Sequence, residues 1–251
     1  MSNPDEEGKI RMAFQWLKQR QREPEVMDDP ALDPQRHAMA LRGLSRLNGL
    51  SGSVAIVWPP ILRLARQLKV TNLRVLDVAT GAGDIPLGLW QKARRANLNL
   101  EVHGVDISPT AIAFARKRAA EIGAPVTFSD LDVLNAELPP GYDIVISSLF
   151  FHHLDDPQAI ALLKSMASAA DRLIVVSDLR RNLGGWMLAH AASRLFTRSD
   201  VVHTDAALSV KGAYTINEFR SLTVAAGLGA VTIRRCWPCR QLLTAPTSPH
   251  P

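Results

Sequence analysis

The chain has 251 residues, of which 47% are hydrophobic and 21% charged, an ordinary globular composition that excludes general disorder. Its net charge of +5 comes from basic residues scattered along the chain, without a basic stripe and interleaved aromatics, so no nucleic-acid partner is expected. The acidic, polar N-terminus does not read as a signal peptide, and no apolar run is long enough to span a membrane. We therefore expect a cytoplasmic protein.

Residues 1–70 are predicted to form a helical arm or cap in front of the main domain. Its helices are expected over residues 9–22, 37–47 and 54–68. A proline- and aspartate-rich stretch after the first helix favours turns, because both residues break helices. Pro59 and Pro60 are expected near the start of the third helix, where a missing backbone N–H costs least.

Residues 71–245 alternate short apolar runs with amphipathic stretches, which predicts strands alternating with helices. The strands are expected over residues 74–78, 101–105, 126–128, 143–147, 172–177, 231–235 and 241–244. The helices between them are expected over residues 85–96, 109–122, 157–169 and 216–226. Nearly continuous apolar strands such as IVIS and LIVV are typical of a parallel sheet covered on both faces.

The fold class that follows is α/β, with a doubly wound, Rossmann-like, mostly parallel sheet of seven strands. The last two strands lie so close together in the sequence that we expect a C-terminal antiparallel hairpin. Residues 246–251 are predicted to be a disordered tail.

One segment, residues 179–214, interrupts the alternation and carries a helical run over residues 183–196. Inserts at the C-terminal edge of such a sheet commonly shape a substrate pocket, so we interpret it as a substrate lid that holds His190 and His203. A surface elaboration without such a role is the alternative.

The two cysteines, Cys236 and Cys239, form a C-W-P-C pair late in the chain. No second Cys/His pair at ligand spacing accompanies them, so we interpret them as ordinary strand-end and turn residues. The sequence predicts no metal site, which disfavours magnesium-dependent catechol chemistry.

The most informative stretch is VLDVATGAGD, in which a buried strand ends at Asp77 and a turn of small residues leads into a helix. Gly81 and Gly83 allow a tight turn and a close approach of the backbone to a ligand. A dinucleotide site would need a third glycine where Pro86 stands. Asp77 also favours an ammonium group over a pyrophosphate, because a carboxylate repels the phosphates.

Two more acids follow the next two strands. Asp106 closes the second strand and suits the hydroxyls of an adenosine ribose. Asp132 follows the third strand, where it suits an adenine amino group. Surface solvation explains any one of the three acids alone, but poorly explains all three at successive strand ends.

Four segments together resemble the motifs of the class I S-adenosylmethionine-dependent methyltransferases: VLDVATGAGD, GVDISPTAIAFARKRA, SDLDV and DIVISSLFFHHL. The resemblance implies S-adenosylmethionine as cofactor. It implies that Asp77, Ala79, Gly81 and Gly83 surround the methionine part, Asp106 and Ile107 hold the ribose, Asp132 and Val133 the adenine, and Ser148 and Leu149 the methionyl side.

The ATGAGD form is similar to the ubiquinone/menaquinone methyltransferase group, and RLNGLSGSVAIVW loosely resembles the N-terminal helices of that group. The chain has SSLF where methyltransferases of amino groups carry an Asn/Asp-Pro-Pro-aromatic motif. The expected acceptor is therefore a small hydroxylated aromatic, quinol or polyketide-like molecule, methylated at oxygen or carbon.

A phenolic acceptor benefits from a general base. The candidates are His152 and His153 after the fourth strand, and His190 and His203 in the insert. Each of these histidines has a structural alternative, such as orienting a loop. Arg180 and Tyr214 are candidates for positioning an oxygen-rich acceptor.

Two other functions stay open at this point: an NAD(P)-dependent oxidoreductase, and a methyltransferase-like protein that binds the cofactor without catalysis. The apolar side chains of the first arm helix (Met12, Phe14, Trp16 and Leu17) are expected to pack over the active site, or else against a second subunit of a homodimer.

Overall fold

The computed structural model describes residues 15–29 and 31–247, and it confirms the predicted seven-stranded sheet. The strand order is β3-β2-β1-β4-β5-β7-β6, and only the pairs β5–β7 and β7–β6 are antiparallel. The strands are β1 (Asn72–Val78), β2 (Asn99–Asp106), β3 (Thr127–Asp130), β4 (Tyr142–Ser148), β5 (Ala170–Leu179), β6 (Thr232–Cys236) and β7 (Arg240–Pro246).

Eight α-helices lie within the described residues. They are α1 (Pro34–Leu50), α2 (Ser53–Leu68), α3 (Asp84–Arg95), α4 (Pro109–Glu121), α5 (Asp156–Ala169), α6 (Leu183–Phe196), α7 (Asp200–Gly212) and α8 (Ile216–Ala225). Three short 3-10 turns add Gln15–Leu17, Val26–Asp28 and Phe151–His153. No described helix is long and apolar enough to cross a membrane.

Successive residues of the central strand point to opposite faces of the sheet, and this alternation creates two apolar cores. Val75 belongs to the core between the sheet and helices α2, α3 and α4. Leu76 belongs to the core on the other face, with α5 and α8. Both side chains are fully buried. The sheet is therefore covered on both faces, as the apolar strands predict.

Helix starts follow the expected capping chemistry. Ser108 caps α4 through its side chain, and Thr215 forms a capping box with Glu218 at the start of α8. At α5 the cap is Asp155, which forms a capping box with Gln158, so the helix begins one residue before the predicted boundary.

The prediction that Pro59 and Pro60 lie near a helix start is wrong, because α2 begins at Ser53 and both prolines lie inside it. Each proline leaves a carbonyl of the preceding turn without its usual partner. The buried side chains of Val57 and Ile61 flank the pair and pack into the sheet core, so tertiary packing outweighs the lost hydrogen bonds.

The arm differs from its predicted form. Of the helix predicted over residues 9–22, residues 9–14 lie outside the described residues. Over the described part the chain makes a single 3-10 turn at Gln15–Leu17 and is not helical over residues 18–25, so the prediction is wrong there. Met12 and Phe14 lie outside the described residues. Because Gln21 donates its backbone N–H to the carbonyl of Lys211, contacts with α7 replace the hydrogen bonds of a helix.

The insert contains the predicted helix as α6 and a second helix, α7, that the sequence did not predict. At the C-terminus, β7 extends to Pro246 beside Leu173, so the predicted tail begins too early. Residues 248–251 of that tail lie outside the described residues. Cys236 ends β6 and Cys239 lies in the following turn, both as free thiols.

Candidate active site

The strand order reverses between β1 and β4, and ligands of such sheets bind at the carboxyl ends of the strands beside this point. Asp77 lies near that end of β1 and is fully buried. One carboxylate oxygen accepts from the Thr80 hydroxyl at 2.7 Å, and the other has no partner among the described residues. Burial raises the pKa of Asp77 to about 7. The unpartnered oxygen suits a cationic ligand group.

The turn after β1 approaches β2 closely. Ala79, Gly81 and Gly83 all have positive φ values, of 57°, 52° and 73°. A side chain at Gly83 would lie 2.9 Å from the Phe128 ring, so this position requires glycine. Gly81 faces open space, which leaves room for a ligand against its backbone.

Asp106 is tied to this turn by backbone hydrogen bonds. Its carboxylate accepts from the N–H of Gly81 at 2.8 Å and from the N–H of Ser108 at 2.9 Å. Burial raises the pKa of Asp106, and the two N–H groups partly offset that rise. The neighbouring Ile107 is exposed. The structure thus brings the predicted ribose acid and the glycine turn together.

Asp132 lies beyond β3, next to this acid in space, since Leu131 donates its N–H to the Asp106 carbonyl. The Asp132 carboxylate accepts from the Leu134 N–H and the Asn135 amide, which lower its pKa. Val133 is buried in the core. The turn is therefore ordered at the predicted adenine position, although Asp132 already holds two local partners.

At the end of β4, Ser148 and Leu149 face the same crevice edge. The Ser148 hydroxyl is buried without a partner among the described residues. Leu149 has a φ of 59° and donates its N–H to the Ser177 carbonyl at 2.8 Å. A branched side chain in this backbone region is strained, and such strain is common where a backbone contacts a ligand.

His152 and Asp178 form a buried pair at the ends of β4 and β5. The Asp178 carboxylate accepts from His152 Nδ1 at 2.7 Å and from its backbone N–H at 3.0 Å. Both side chains are 5% exposed. Burial alone would raise the pKa of Asp178, but contact with His152 outweighs it and lowers the pKa. The carboxylate therefore stays ionised and fixes the orientation of the imidazole.

His153 lies against the arm. Its Nδ1 is 2.9 Å from an Asp28 oxygen, and its Nε2 is 3.9 Å from Glu25. Burial alone would lower the pKa of His153, but Glu25 and Asp28 outweigh it and raise the pKa to about 9. His153 is therefore protonated at neutral pH, and its charge is neutralised by the two acids.

Glu25, His152 and His153 place one donor atom each within 4.8 Å of one another, a set of ligand types that can hold a divalent cation. The sequence did not predict this group, because Glu25 lies in the arm, far from the histidines along the chain. Since protonated His153 already supplies a positive charge beside Glu25, we interpret the group as an ion-pair cluster.

Arg20 holds the arm against the 3-10 turn Phe151–His153, called the histidine turn below. Its guanidinium donates to the carbonyls of Gly212 and His152, and to the Tyr214 hydroxyl at 2.7 Å. It also lies 3.7 Å from the centre of the Tyr214 ring, a cation–π contact. The Tyr214 hydroxyl in turn contacts the Leu154 carbonyl and Asp156. Tyr214, a predicted substrate residue, therefore holds the arm in this structure.

The arm also contacts the insert through α7. The Asp205 carboxylate accepts from the backbone N–H groups of Val26 and Met27, at 2.9 and 3.0 Å. The Ser209 hydroxyl donates to Glu25. Met27 also packs against the small cluster that contains Ala82 of the glycine turn. The arm therefore lies between α7 of the insert and the glycine turn, and its packing over an active site stays a prediction.

Comparison with known proteins agrees with this geometry. Residues 75–171 match the model of a family described as a methyltransferase domain. The chain carries a class I S-adenosylmethionine-dependent methyltransferase domain. The match begins in β1 and ends at the start of β5, so it covers the crevice edge from Asp77 to the turn after β4 but not Asp178.

Curated relatives of the methyltransferase domain include a demethylmenaquinone methyltransferase of Thermus thermophilus, 35% identical over 41% of this chain and 46% of that protein. A ubiquinone biosynthesis O-methyltransferase of Idiomarina loihiensis is 28% identical over 48% of each. The chain thus spans about half the length of the curated relatives it matches. Magnesium protoporphyrin IX methyltransferase of Synechocystis, with bound S-adenosylhomocysteine, has a similar fold (TM-score 0.53, 19% identity, 98% and 95% coverage).

The other predicted residues of the methyltransferase lie in its insert or next to it. His190 stacks on Trp186, and His203 Nε2 is 3.1 Å from the Thr197 carbonyl. No described contact joins either histidine to His152. Arg180 follows β5, and its Nε is buried without a partner among the described residues. For these residues the predicted roles in catalysis and acceptor binding stay predictions.

Sequence reasoning missed Asp178, although the run LIVVSD ends a strand on an acid, as Asp77 and Asp106 end theirs. It also missed Asp84, which accepts from Ser45, Asn48 and Arg118 and so ties helix α1 to the glycine turn. No local signal in the sequence indicates these partners of Asp84, because they lie on α1 and α4.

Proposed function

We propose that this chain transfers a methyl group from S-adenosylmethionine to a small hydroxylated aromatic or quinol acceptor, with His152 as the general base. One observation carries the proposal: the buried His152–Asp178 pair lies at the same sheet edge as Asp77 and Asp106. A base and a cofactor crevice therefore face the same space at the ends of neighbouring strands.

The residues of the crevice fit the cofactor. The unpartnered oxygen of Asp77 suits the ammonium of its methionine part, and the open space at Gly81 admits a ligand against the backbone. Asp106 holds backbone N–H groups with both oxygens and keeps lone pairs for ribose hydroxyls. When bound, the cofactor supplies a sulfonium whose methyl group is strongly electrophilic.

His152 has the geometry of an oriented base. Its Nδ1–H donates to Asp178, so the lone pair is on Nε2, which lies 3.7 Å from a Glu25 oxygen. Nε2 accepts the proton of the acceptor hydroxyl, and ionised Asp178 stabilises the imidazolium. A positioned base of this kind contributes typically ~10²–10⁴-fold to the rate.

The arm supplies the exclusion of water. His152 is 5% exposed beneath the arm, so the acceptor reaches Nε2 only when Glu25 moves away from it. Return of the arm then removes water from the reacting groups and holds the acceptor in line with the methyl group. Such alignment contributes roughly 7–11 kcal/mol to lowering a barrier.

The acceptor class is supported by relatives named for menaquinone and ubiquinone biosynthesis, and by SSLF at the end of β4 in place of an amino-group motif. The methyltransferase matches do not favour the NAD(P)-dependent alternative. The other alternative, a domain that binds the cofactor without catalysis, is distinguished from an enzyme by measuring methyl uptake.

Calorimetric titration with S-adenosylmethionine, S-adenosylhomocysteine and NADH tests the cofactor first. We expect binding of both sulfur compounds and none of NADH. Methyl uptake from labelled S-adenosylmethionine is then measured with a phenol and a hydroquinone. Cofactor binding without methyl uptake by either acceptor would contradict the proposed catalysis.

The base is tested with His152→Gln and Asp178→Asn, and with His190→Gln and His203→Gln for the other candidates. We expect the first two variants to lose ~10²–10⁴-fold in kcat for an oxygen acceptor, with unchanged affinity for S-adenosylhomocysteine. Loss of kcat in His190→Gln or His203→Gln, with His152→Gln active, would move the base into the lid.

A further inference from the structure

Helix α6 exposes an apolar face. Only Gly185 and Ser193 are buried in this helix, and they lie on its inner side. The outer side carries large apolar side chains that are 39–76% exposed. These are Leu183, Met187, Leu188 and Leu195. Together they form a continuous apolar strip along a helix of 14 residues.

The chain segments that carry this strip and the nearby β6–β7 turn contain basic residues and no acidic ones. From Leu179 to Ser199 the chain contains no Asp or Glu, and its exposed basic residues include Arg194 and Arg198. From Gly227 to the C-terminus the sequence again lacks acids, and Arg234 and Arg235 are exposed on β6. Two acid-free segments thus carry the exposed apolar and basic side chains.

These two segments meet in the structure. The carbonyl of Cys239, in the turn between β6 and β7, accepts from the Arg180 N–H at 3.1 Å. Its Cβ lies 3.1 Å from the position that a side chain at Gly185 would occupy, so the turn packs against the first turn of α6. In the same turn Trp237 is 83% exposed. An indole therefore projects into solvent from the turn that packs against the start of α6.

We propose that the outer face of α6 and the Trp237 turn dock the protein on an anionic phospholipid surface. Apolar side chains of an amphipathic helix enter the boundary between headgroups and acyl chains, and an exposed Trp prefers the same depth. The exposed arginines of these acid-free segments complement the negative headgroups. The helix is too short to span, so it lies in the plane of the surface.

Docking places the carboxyl end of β5, where Asp178 contacts His152, near the bilayer. Helix α6 begins shortly after Asp178, at the end of β5 where the candidate base is held. An acceptor with an apolar tail then enters from the lipid without crossing water. This last consequence rests on the proposed function, whereas the docking surface itself rests on exposure and charge.

The test uses the full chain and two vesicle compositions: pure phosphatidylcholine, and an equal mixture of phosphatidylglycerol and phosphatidylcholine. Co-sedimentation is expected with the anionic vesicles only, and to weaken as salt increases. The double variant Met187→Glu/Leu195→Glu is expected to lose at least 10-fold in vesicle affinity. Val224→Glu is the matched control, because Val224 is 73% exposed on α8, and its affinity is expected to equal wild type.

Trp237 provides a second readout. Its fluorescence is expected to be quenched by brominated lipid in the anionic vesicles, and Trp237→Phe is expected to remove most of that quenching. Arg234→Glu/Arg235→Glu is expected to weaken binding to anionic vesicles while leaving Trp237 exposed.

Three results would overturn the docking proposal: no binding to anionic vesicles, equal binding by the Met187→Glu/Leu195→Glu variant, or quenching that persists without Trp237. Sedimentation velocity tests whether a second copy of this chain, and not a membrane, covers the surface. A dimer that dissociates in the Met187→Glu/Leu195→Glu variant would assign the surface to a second copy. Titration with S-adenosylhomocysteine is measured in parallel, so that failure of the proposed function is distinguished from failure of docking.

Discussion

The two halves of the crevice edge are built in different ways. On the β1–β2 side, contacts join residues close in sequence: Thr80 to Asp77, and Gly81 and Ser108 to Asp106, at separations of 3, 25 and 2 residues. On the β4–β5 side, the histidine turn is covered by arm residues 125 to 132 positions away.

Under the proposed function this difference separates two tasks. The β1–β2 side, the proposed cofactor half, is held mainly by backbone turns and neighbouring strand ends, and Met27 of the arm packs against Ala82 at its edge. The β4–β5 side, the proposed acceptor half, is covered by the arm and α7 through contacts such as those of Arg20 with Gly212 and His152. We therefore expect changes in the arm and the insert to alter acceptor preference more than cofactor binding.

The largest expected effect tests the cofactor half. Asp106→Ala removes the proposed acceptor of two ribose hydroxyls and also frees the Gly81 and Ser108 N–H groups. Hydrogen bonds to charged groups contribute ~1.5–3 kcal/mol each, so the affinity for S-adenosylmethionine is expected to fall by ~100-fold or more. Calorimetric titration measures this loss directly.

Asp200→Ala serves as the control, since Asp200 is an exposed residue at the start of α7 that pairs with Arg36. Its affinity for the cofactor is expected to match wild type. Unchanged affinity in Asp106→Ala would remove the ribose assignment and, with it, the claim that the β1–β2 side is the cofactor half.

The next largest effect tests the acceptor half. Arg20→Ala removes hydrogen bonds to Gly212, His152 and Tyr214 in one change. We expect the free energy of unfolding to fall by roughly 2–4 kcal/mol, because the loss cannot exceed the free energy with which the arm binds the rest of the fold. Hydrogen exchange of residues 20–28 is expected to accelerate, while affinity for S-adenosylhomocysteine stays within threefold of wild type.

Arg22→Ala is the matched control for this arm variant, because its guanidinium donates to one exposed carbonyl, that of His153. The free energy of unfolding of this variant is expected to decrease by less than ~1 kcal/mol. If Arg20→Ala weakened cofactor binding as strongly as Asp106→Ala, the two halves would not be independent.

The same division explains what the sequence can predict. The seven strands, the glycine turn and the acids Asp77 and Asp106 follow from local patterns, because strand ends and turns are set by neighbouring residues. The non-helical arm and the mid-helix position of Pro59 depend on distant packing partners. Local propensity carries no information on such partners, so both predictions failed.

Helix α7 shows the same limit within the lid. Among the apolar residues of its sequence DVVHTDAALSVKG, only Val201, Val202 and Val210 are buried, and most of the other residues are half-buried. That pattern is too sparse to indicate a helix. Glu25 and Asp28 likewise became part of the site only through the fold of the arm against His153.

A pH titration of cofactor binding sharpens the comparison on the cofactor side. Burial raises the pKa of Asp77 to about 7, so below that pH the unliganded protein holds a proton that binding to an ammonium must displace. The affinity is expected to be constant above pH 7 and to fall by up to ~10-fold per pH unit below it. Asp77→Asn is expected to bind more weakly at all pH values, without this slope.

The same carboxyl group makes the free energy of unfolding change with pH in the direction opposite to cofactor affinity. The folded pKa lies above the unfolded value of about 4, so the unliganded protein loses stability as pH rises from about 4 to 7 and no further above 7. Thermal unfolding should therefore show Asp77→Asn more stable than wild type at pH 8. An Asp77→Asn protein that is less stable at pH 8 would show that the carboxylate has partners that the fold does not reveal.

The smallest expected effect concerns backbone strain in the glycine turn. Ala79 has a φ of 57°, a region that costs a non-glycine residue ~1–2 kcal/mol, whereas glycine in an unfolded chain costs ~0.5–1 kcal/mol in entropy. Ala79→Gly is therefore expected to raise the free energy of unfolding by about 0.5–1 kcal/mol. Ala82→Gly, at a buried position in the same turn where φ is not positive, is expected to lower it. Denaturant unfolding measures the free energy of unfolding of both variants. If Ala79→Gly lowered it as much as Ala82→Gly does, the backbone at Ala79 would not be strained.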